Sequence, residues 1–376
     1  MADRLTALEL ADALADGADF GAGEEPRMAQ ARRALGSELF REFWKYTPPA
    51  DYLAGLEGLA PTQAAVAQSD IAGITLRSAS AGERAAMGDP ESPERFPLAD
   101  LAVLLAGDLL VLEVTETPEA PVVIRQPGGF SIPMEIRVAA GVELTLIEHQ
   151  DMPGSAYQNQ SLYLHLAEGA RVSHSAAALD GSCSHWSLTQ AHLAADAHYE
   201  RRQYQLGGRR RRTETQVLLN GRGATANITG AYVVEAGQHL DQQLVVEHRA
   251  GHTRSEQRFH GIGAGKGTAV FNGRIHIHAG APGADAALSN RNLALHPEAI
   301  INTKPELEIY TDDVRCSHGA TVGQLSEESL FYLQSRGIAR PEARRLICRA
   351  FIESCIAGPL AEAAEDALLG TWASAS

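Results

Sequence analysis

The apolar positions of this chain change period twice. From Leu98 to His318 they fall in short runs rich in Val, Ile, Leu and Thr, separated by glycine-bearing turns, which is the pattern of strands. The turns recur. Gly141, Gly169, Asp196, Gly223 and Gly251 each precede an extended run, at steps of 28, 27, 27 and 28 residues, and Gly154, Gly181, Gly208, Gly237 and Gly265 fall near the midpoints, at steps of 27, 27, 29 and 28. A unit with a turn at each half is what one coil of a flattened β-solenoid requires: a strand, a turn, a returning strand and another turn. An antiparallel sandwich gives no reason for a repeat at twice the strand spacing.

On either side of this region the period is helical. After Pro26, Met28, Ala31, Leu35, Leu39, Phe43 and Tyr46 recur at three- and four-residue steps until Pro48 and Pro49, which predicts an amphipathic helix that docks on something. Ser78 to Pro97 is rich in Ser, Gly, Glu and Pro and reads as a mobile connection. Near the other end Ser326 can cap a helix that carries Glu327 and Glu328 in its first turn and stops at Gly337. Pro341 opens a second helix with an apolar stripe of Ala343, Leu346, Ile347, Ala350, Phe351, Ser354 and Cys355, and Pro359 a third through Leu368 and Leu369. The expectation is a helical cap that closes the solenoid's end. The chain thus divides into an N-terminal helical region and linker (1–95), a β core (96–320) and a C-terminal helical domain (321–376).

Charge narrows the function. With 32 basic against 47 acidic residues the formal charge is -15, which disfavours binding to nucleic acid or to anionic membranes. The start, MADRLTALEL, carries Asp3 and Glu9 in place of a basic leader, and the four cysteines form neither a C-x-x-C pair nor a secreted framework, so the reading is cytoplasmic. Cys348 and Cys355 read as packing residues within a helical pattern. HGIGAGKGT at 260–268 fails as a phosphate loop because His260 and Gly267 stand where Gly and Ser or Thr are needed. Arg209 to Arg212 reads as a solvated turn or a partner contact. Cys183, with His185 two residues on, could form a Cys-x-His pair. No nucleophile elbow or metal-hydrolase motif is present, so the chain reads as a non-catalytic scaffold.

The residues that point to chemistry lie in Asn302–Gly337, NTKPELEIYTDDVRCSHGATVGQLSEESLFYLQSRG. Counting by twos along one extended segment puts Glu308, Tyr310, Asp312, Val314, Cys316 and His318 on one face, with Cys316 and His318 roughly 7 Å apart. A thiolate and an imidazole so placed can share a soft or borderline metal, or each give one ligand to a site completed by another chain. The bland alternative is a small buried cysteine beside a hydrogen-bonded histidine. All fourteen histidines lie between His149 and His318, and most, including His276 and His278, read as surface or hydrogen-bonded strand residues.

The run KPELEIYTDDVRCSHGATVGQL, followed by LFYLQSRGI, resembles the signature of the SufB/SufD family of iron-sulfur cluster assembly proteins, on its SufD side. REFWKYTPP at Arg41–Pro49 is similar to that family's N-terminal motif. The resemblance implies a mainly β protein: a right-handed parallel β-helix between helical ends. It implies a scaffold subunit that pairs with SufB through the β-helix, and with itself when isolated, and that binds the SufC ATPase through its C-terminal helices. The cargo it implies is a transient iron-sulfur cluster shared with SufB; whether a flavin binds is left open. His318 falls at the position proposed in the family for a ligand, with Cys316 as its companion. The rivals are a SufB-type cluster-carrying scaffold and a β-helix carbohydrate-active enzyme. Against the enzyme, Asp312 and Asp313 are adjacent on a predicted strand and point to opposite faces.

Overall fold

The computed structural model describes residues 71–86, 96–106, 108–125, 129–150 and 157–370, with scattered positions between 29 and 67. Met28, Leu39, Phe43 and Gly154, used above, lie outside the described residues. The middle of the chain is a parallel β-solenoid of about six turns. Each coil gives one strand to each of two facing sheets, and two coils with shorter strands precede the six regular ones. One sheet runs Leu110–Val114, Met134–Val138, Tyr157–Leu166, Ser184–Leu193, Arg210–Leu219, His239–His248, Thr268–Ile277 and Ile300–Ile309. The other runs Val122–Arg125, Glu143–His149, Arg171–Ala178, His198–Leu206, Thr225–Glu235, Arg254–Ala264, Ala284–Ala294 and Val314–Gly323. Antiparallel strand pairs occur, among the described residues, only where Ile74–Ser78 joins Leu110–Val114 and Ala65–Ala67 joins Val122–Arg125.

Register confirms the repeat and shows where it stretches. Glu143 pairs with Arg171, Arg171 with His198 and His198 with Thr225, steps of 28, 27 and 27 residues. Further on Thr225 pairs with Arg254, Arg254 with Asp285 and Thr268 with Ile300, steps of 29, 31 and 32. The last coils carry longer corners, so the expected spacing of 27 to 29 holds for the middle coils and fails beyond them. In the first turn series the left-handed residues are Gly141, Gly169, Asp196, Gly223, His252 and Gly283, so at the fifth turn the conformation falls on His252 (φ 57°), next to Gly251. Each donates its N–H to the next turn up, from Gly141 to the Glu168 carbonyl through Gly283 to that of Asp313. The turns therefore stack as a hydrogen-bonded column.

The apolar interior draws on both sheets, with Leu162, Leu164 and Leu166 facing Leu144, Leu146 and Val172. Two further clusters sit on the outer faces. Trp44, Tyr52, Leu98, Leu101 and Leu104 cover Tyr157, Tyr163, Trp186 and Leu188 on the first sheet. Within the expected N-terminal stripe, Ala31 and Leu35 are buried, but Tyr46 is 52% exposed and its neighbour Trp44 is the buried aromatic. The apolar run after Pro97, expected to begin the strands, folds as the helix Pro97–Ala106, and part of the supposed connection is the helix Ala81–Ala86.

The C-terminal helices Glu327–Ser335, Arg340–Glu353 and Ala361–Gly370 do not close the solenoid's end. They lie along the flank of the second sheet, where Cys348, Ile352, Cys355, Leu360 and Leu368 pack on Tyr204, Leu206, Val233 and Ile262. The buried face of Arg340–Glu353 is Ala343, Cys348 and Ile352, whereas Leu346, placed on the stripe above, is exposed. Ser326 caps the first helix, its side chain accepting from the Ser329 N–H. No helix among the described residues is long and apolar enough to cross a membrane.

Candidate functional site

Cys316 and His318 lie on Val314–Gly323, the last strand of the second sheet, and Glu308 on Ile300–Ile309, the last strand of the first. The chain turns a corner at 310–313 between them, so the single extended face expected from Glu308 to His318 is broken; only Val314, Cys316 and His318 share one. Their strand register is Ala284 with Val314, Ala286 with Cys316 and Leu288 with His318. Ala284, Ala286 and Leu288 point into the apolar core, so the same three positions of the last strand point along the interior at its open end. Val314 and Cys316, with Ile301 and Leu307 opposite, pack on the end of the core and are only partly buried. His318 is exposed.

Each terminal strand pairs on one edge only, Ile300–Ile309 with Thr268–Ile277 and Val314–Gly323 with Ala284–Ala294. The other edge presents backbone N–H and C=O groups unpaired among the described residues. Ile300, Tyr310 and Val322 stand exposed around it at 53%, 62% and 50%. Burial pushes the Cys316 thiol up from its ordinary value, against a backbone hydrogen bond at Ala286. The group is thus a thiol near neutrality, and binding iron would release its proton. Among the described residues no three His, Cys, Asp or Glu side chains gather to hold a metal. Two donors at the mouth of an open solenoid suit part of a ligand set.

Other sequence candidates are placed elsewhere. Cys183 is buried, 3.8 Å from Arg211 Nη2, and Arg211 Nη1 donates to His185 Nδ1 at 3.1 Å. Arg211 and Arg212, read above as a solvated turn or partner contact, are fully buried: they belong to the strand Arg210–Leu219 and alternate between its faces. Arg212 lies under the Trp44 ring at 3.8 Å and bridges Glu214 and Asp241. The Asp241 carboxylate also accepts from Thr47 Oγ1. Trp44 and Thr47, both within REFWKYTPP, are therefore anchored to a buried charge cluster. Asp312 and Asp313 are exposed at the corner, not on a strand. Gly265 and Gly267 flank the turn between Arg254–Ala264 and Thr268–Ile277.

Missed from sequence was a buried group inside the middle coils. His174 Nε2 lies 3.0 Å from Glu148 Oε2, and its Nδ1 2.9 Å from the Tyr199 hydroxyl and 3.0 Å from Arg201 Nη1. Arginine only donates, so Nδ1 accepts and Nε2 carries the proton toward Glu148. Burial alone would raise the Glu148 carboxyl, but His174 and the Arg201 charge outweigh it and hold it below its usual value. Burial and Arg201 lower His174.

Residues 129–351 match the family model described as SUF system FeS cluster assembly, SufBD core domain. The chain belongs to the SufBD family. The span covers the regular solenoid coils and the first two C-terminal helices, so the terminal rung lies within the shared core. SufBD relatives agree. The chain is 36% identical to the iron-sulfur cluster assembly protein SufD of Escherichia coli K12 over 232 residues, 61% of this chain and 54% of that protein. It is 29% identical to a chloroplastic protein of Arabidopsis thaliana over 266 residues, 65% of this chain and 56% of that one. It is 28% identical to a SufBD family protein of Mycobacterium tuberculosis over 337 residues, 84% and 83% of the two chains. The chain therefore spans just over half the length of the first two relatives.

Proposed function

We propose that this SufBD protein is a non-catalytic, cytoplasmic scaffold subunit of a SufBCD-type complex, pairing with SufB through its terminal rung and with the SufC ATPase through its C-terminal helices. The observation that carries the reading is the open end of the solenoid. Two free strand edges, a ring of half-buried apolar side chains and two adjacent soft-to-borderline donors share one surface. A partner that adds strands there satisfies the edges, buries the apolar ring and supplies the remaining ligands, so that a nascent cluster sits between subunits as cargo. The helices offer a second surface: Phe331, Tyr332 and Leu346 are exposed at 73%, 57% and 37%, beside Arg336, Arg345 and Arg349.

His318→Ala tests the ligand role. If His318 gives a ligand, the variant keeps its fold and its partners, and the purified three-subunit complex loses iron and sulfide. If it is only an exposed surface histidine, cluster content stays normal and stability changes by no more than about 0.5 kcal/mol. Normal cluster content would overturn the ligand role whatever the thermal midpoint; Cys316→Ala, which disturbs packing little, is the companion measurement and should have the smaller effect.

A further inference from the structure

The interior of the solenoid is divided lengthwise. Beside the stacked left-handed turns it is apolar, with Leu162, Leu164 and Leu166 facing Leu144 and Leu146. Beside the opposite corner, at 207–209, inward positions are polar. On one sheet His185, Ser187 and Thr189 register with Arg211, Thr213 and Thr215; on the other His174, Ala176 and Ala178 register with Arg201, Gln203 and Gln205. All are fully buried. Gln205 Nε2 reaches Thr213 Oγ1 across the space at 2.6 Å, and Gln242 Nε2 lies 3.5 Å from Gln203 Oε1. Ala176 and Ala178 are small, and neither belongs to an apolar cluster among the described residues.

We infer that this half of the interior is a hydrated compartment holding a row of bound water molecules. Arg201 Nε and Nη2, His185 Nε2, Ser187 Oγ, Thr189 Oγ1 and Thr215 Oγ1 are buried and have no partner among the described residues. Buried polar groups in folded proteins are almost always paired, and a concentration on one inward strip calls for a ligand. Arg201 Nε and Nη2 form the side of the guanidinium fork that grips oxyanions. Charge decides against an anion there. Glu148, held ionised, already balances Arg201 across the neutral His174, so an added anion at this fork would leave that local cluster net negative, while Arg211, the strip's other inward guanidinium, already donates to His185 Nδ1 and the Asp180 carbonyl. Water both donates and accepts, which matches a mixed set of arginine and imidazole donors and hydroxyls. Toward the terminal rung the Phe259–Phe271 pair, with ring centroids 5.1 Å apart, and the mutually bonded Tyr232, Asn290 and Asn292 fill the interior. The row is a compartment of the middle coils, separate from Cys316 and His318.

The test is a high-resolution crystal structure of the full chain from bromide-containing crystals, together with oxygen-17 relaxation dispersion in solution. The expected result is ordered water bridging these atoms, no anomalous bromide signal at Arg201, and loss of at least one long-lived internal water in Thr189→Val, with Ser187→Ala as a second variant. A bromide peak in the Arg201 fork would overturn the inference. So would an interior in which these side chains pair with one another and hold no long-lived water.

Discussion

His248 shows how a single buried side chain ties this fold to pH. Its Nδ1 meets Thr253 Oγ1 at 2.8 Å and its Nε2 meets Ser255 Oγ at 2.7 Å, so the ring is satisfied without an ion partner. Burial lowers it to about 4. The unfolded chain then takes up a proton below about pH 6.5 that the folded chain does not bind, so stability is unaffected above that pH and falls as pH drops toward 4. A shift of this size costs about 3 kcal/mol once both states are protonated. Urea unfolding at pH 7.5, 6 and 5 should show the decline, and His248→Gln should make it shallower by one histidine's share, since the buried His174 and His185 are lowered in the same direction; an unchanged slope in the variant would refute the assignment. Among single residues, Cys316 and His318 stand out as candidates because two donors at strand spacing lie in a long, unusual motif, and the strand Val314–Gly323 keeps them on one face. Arg211 and Arg212 were misread because arginine is usually exposed and the run RRRR hides alternation. The available signal was their place in the repeat: Arg211 stands 26 residues after His185, one coil on.

At the scale of elements, the repeat of turns made the solenoid legible, since a coil must turn twice and left-handed positions favour Gly or Asp. The helices were legible as helices but not in their docking. A periodic stripe tells that a face is buried and leaves open against what; Cys348, Ile352 and Cys355 found the flank of the second sheet, and Leu346 was turned outward. The stripe predicted from Leu346 was thus rotated by the contact the helix found. The surface left free makes a prediction. Phe331→Ser with Tyr332→Ser should leave the thermal midpoint nearly unchanged, because neither side chain is buried, and should weaken association with a SufC-type ATPase at least tenfold if the aromatic pair anchors the contact. Undiminished binding by titration calorimetry would move that docking site elsewhere. The fold class, by contrast, needed no knowledge of docking.

For the molecule as a whole, the decisive property is that a stack of coils has two ends and that one of them, at Val314–Gly323, stands open. Each coil leans only on its neighbours, so stability spreads along the stack as a sum of nearest-neighbour terms. An inner strand such as Arg210–Leu219 has two neighbours; Val314–Gly323 has one. Amide hydrogen exchange should therefore be fastest in that last strand, slower by orders of magnitude in the middle, and slowed at the end as protein concentration or a SufB-type partner is raised. Uniform protection at low concentration would contradict this. On the proposed assembly the candidate ligands sit on the coil predicted to fray first, and the partner would act as its missing neighbour. Ordering and assembly become one event, so a cluster would find its ligands held in place only after the subunits have met, and would be shed readily when they part.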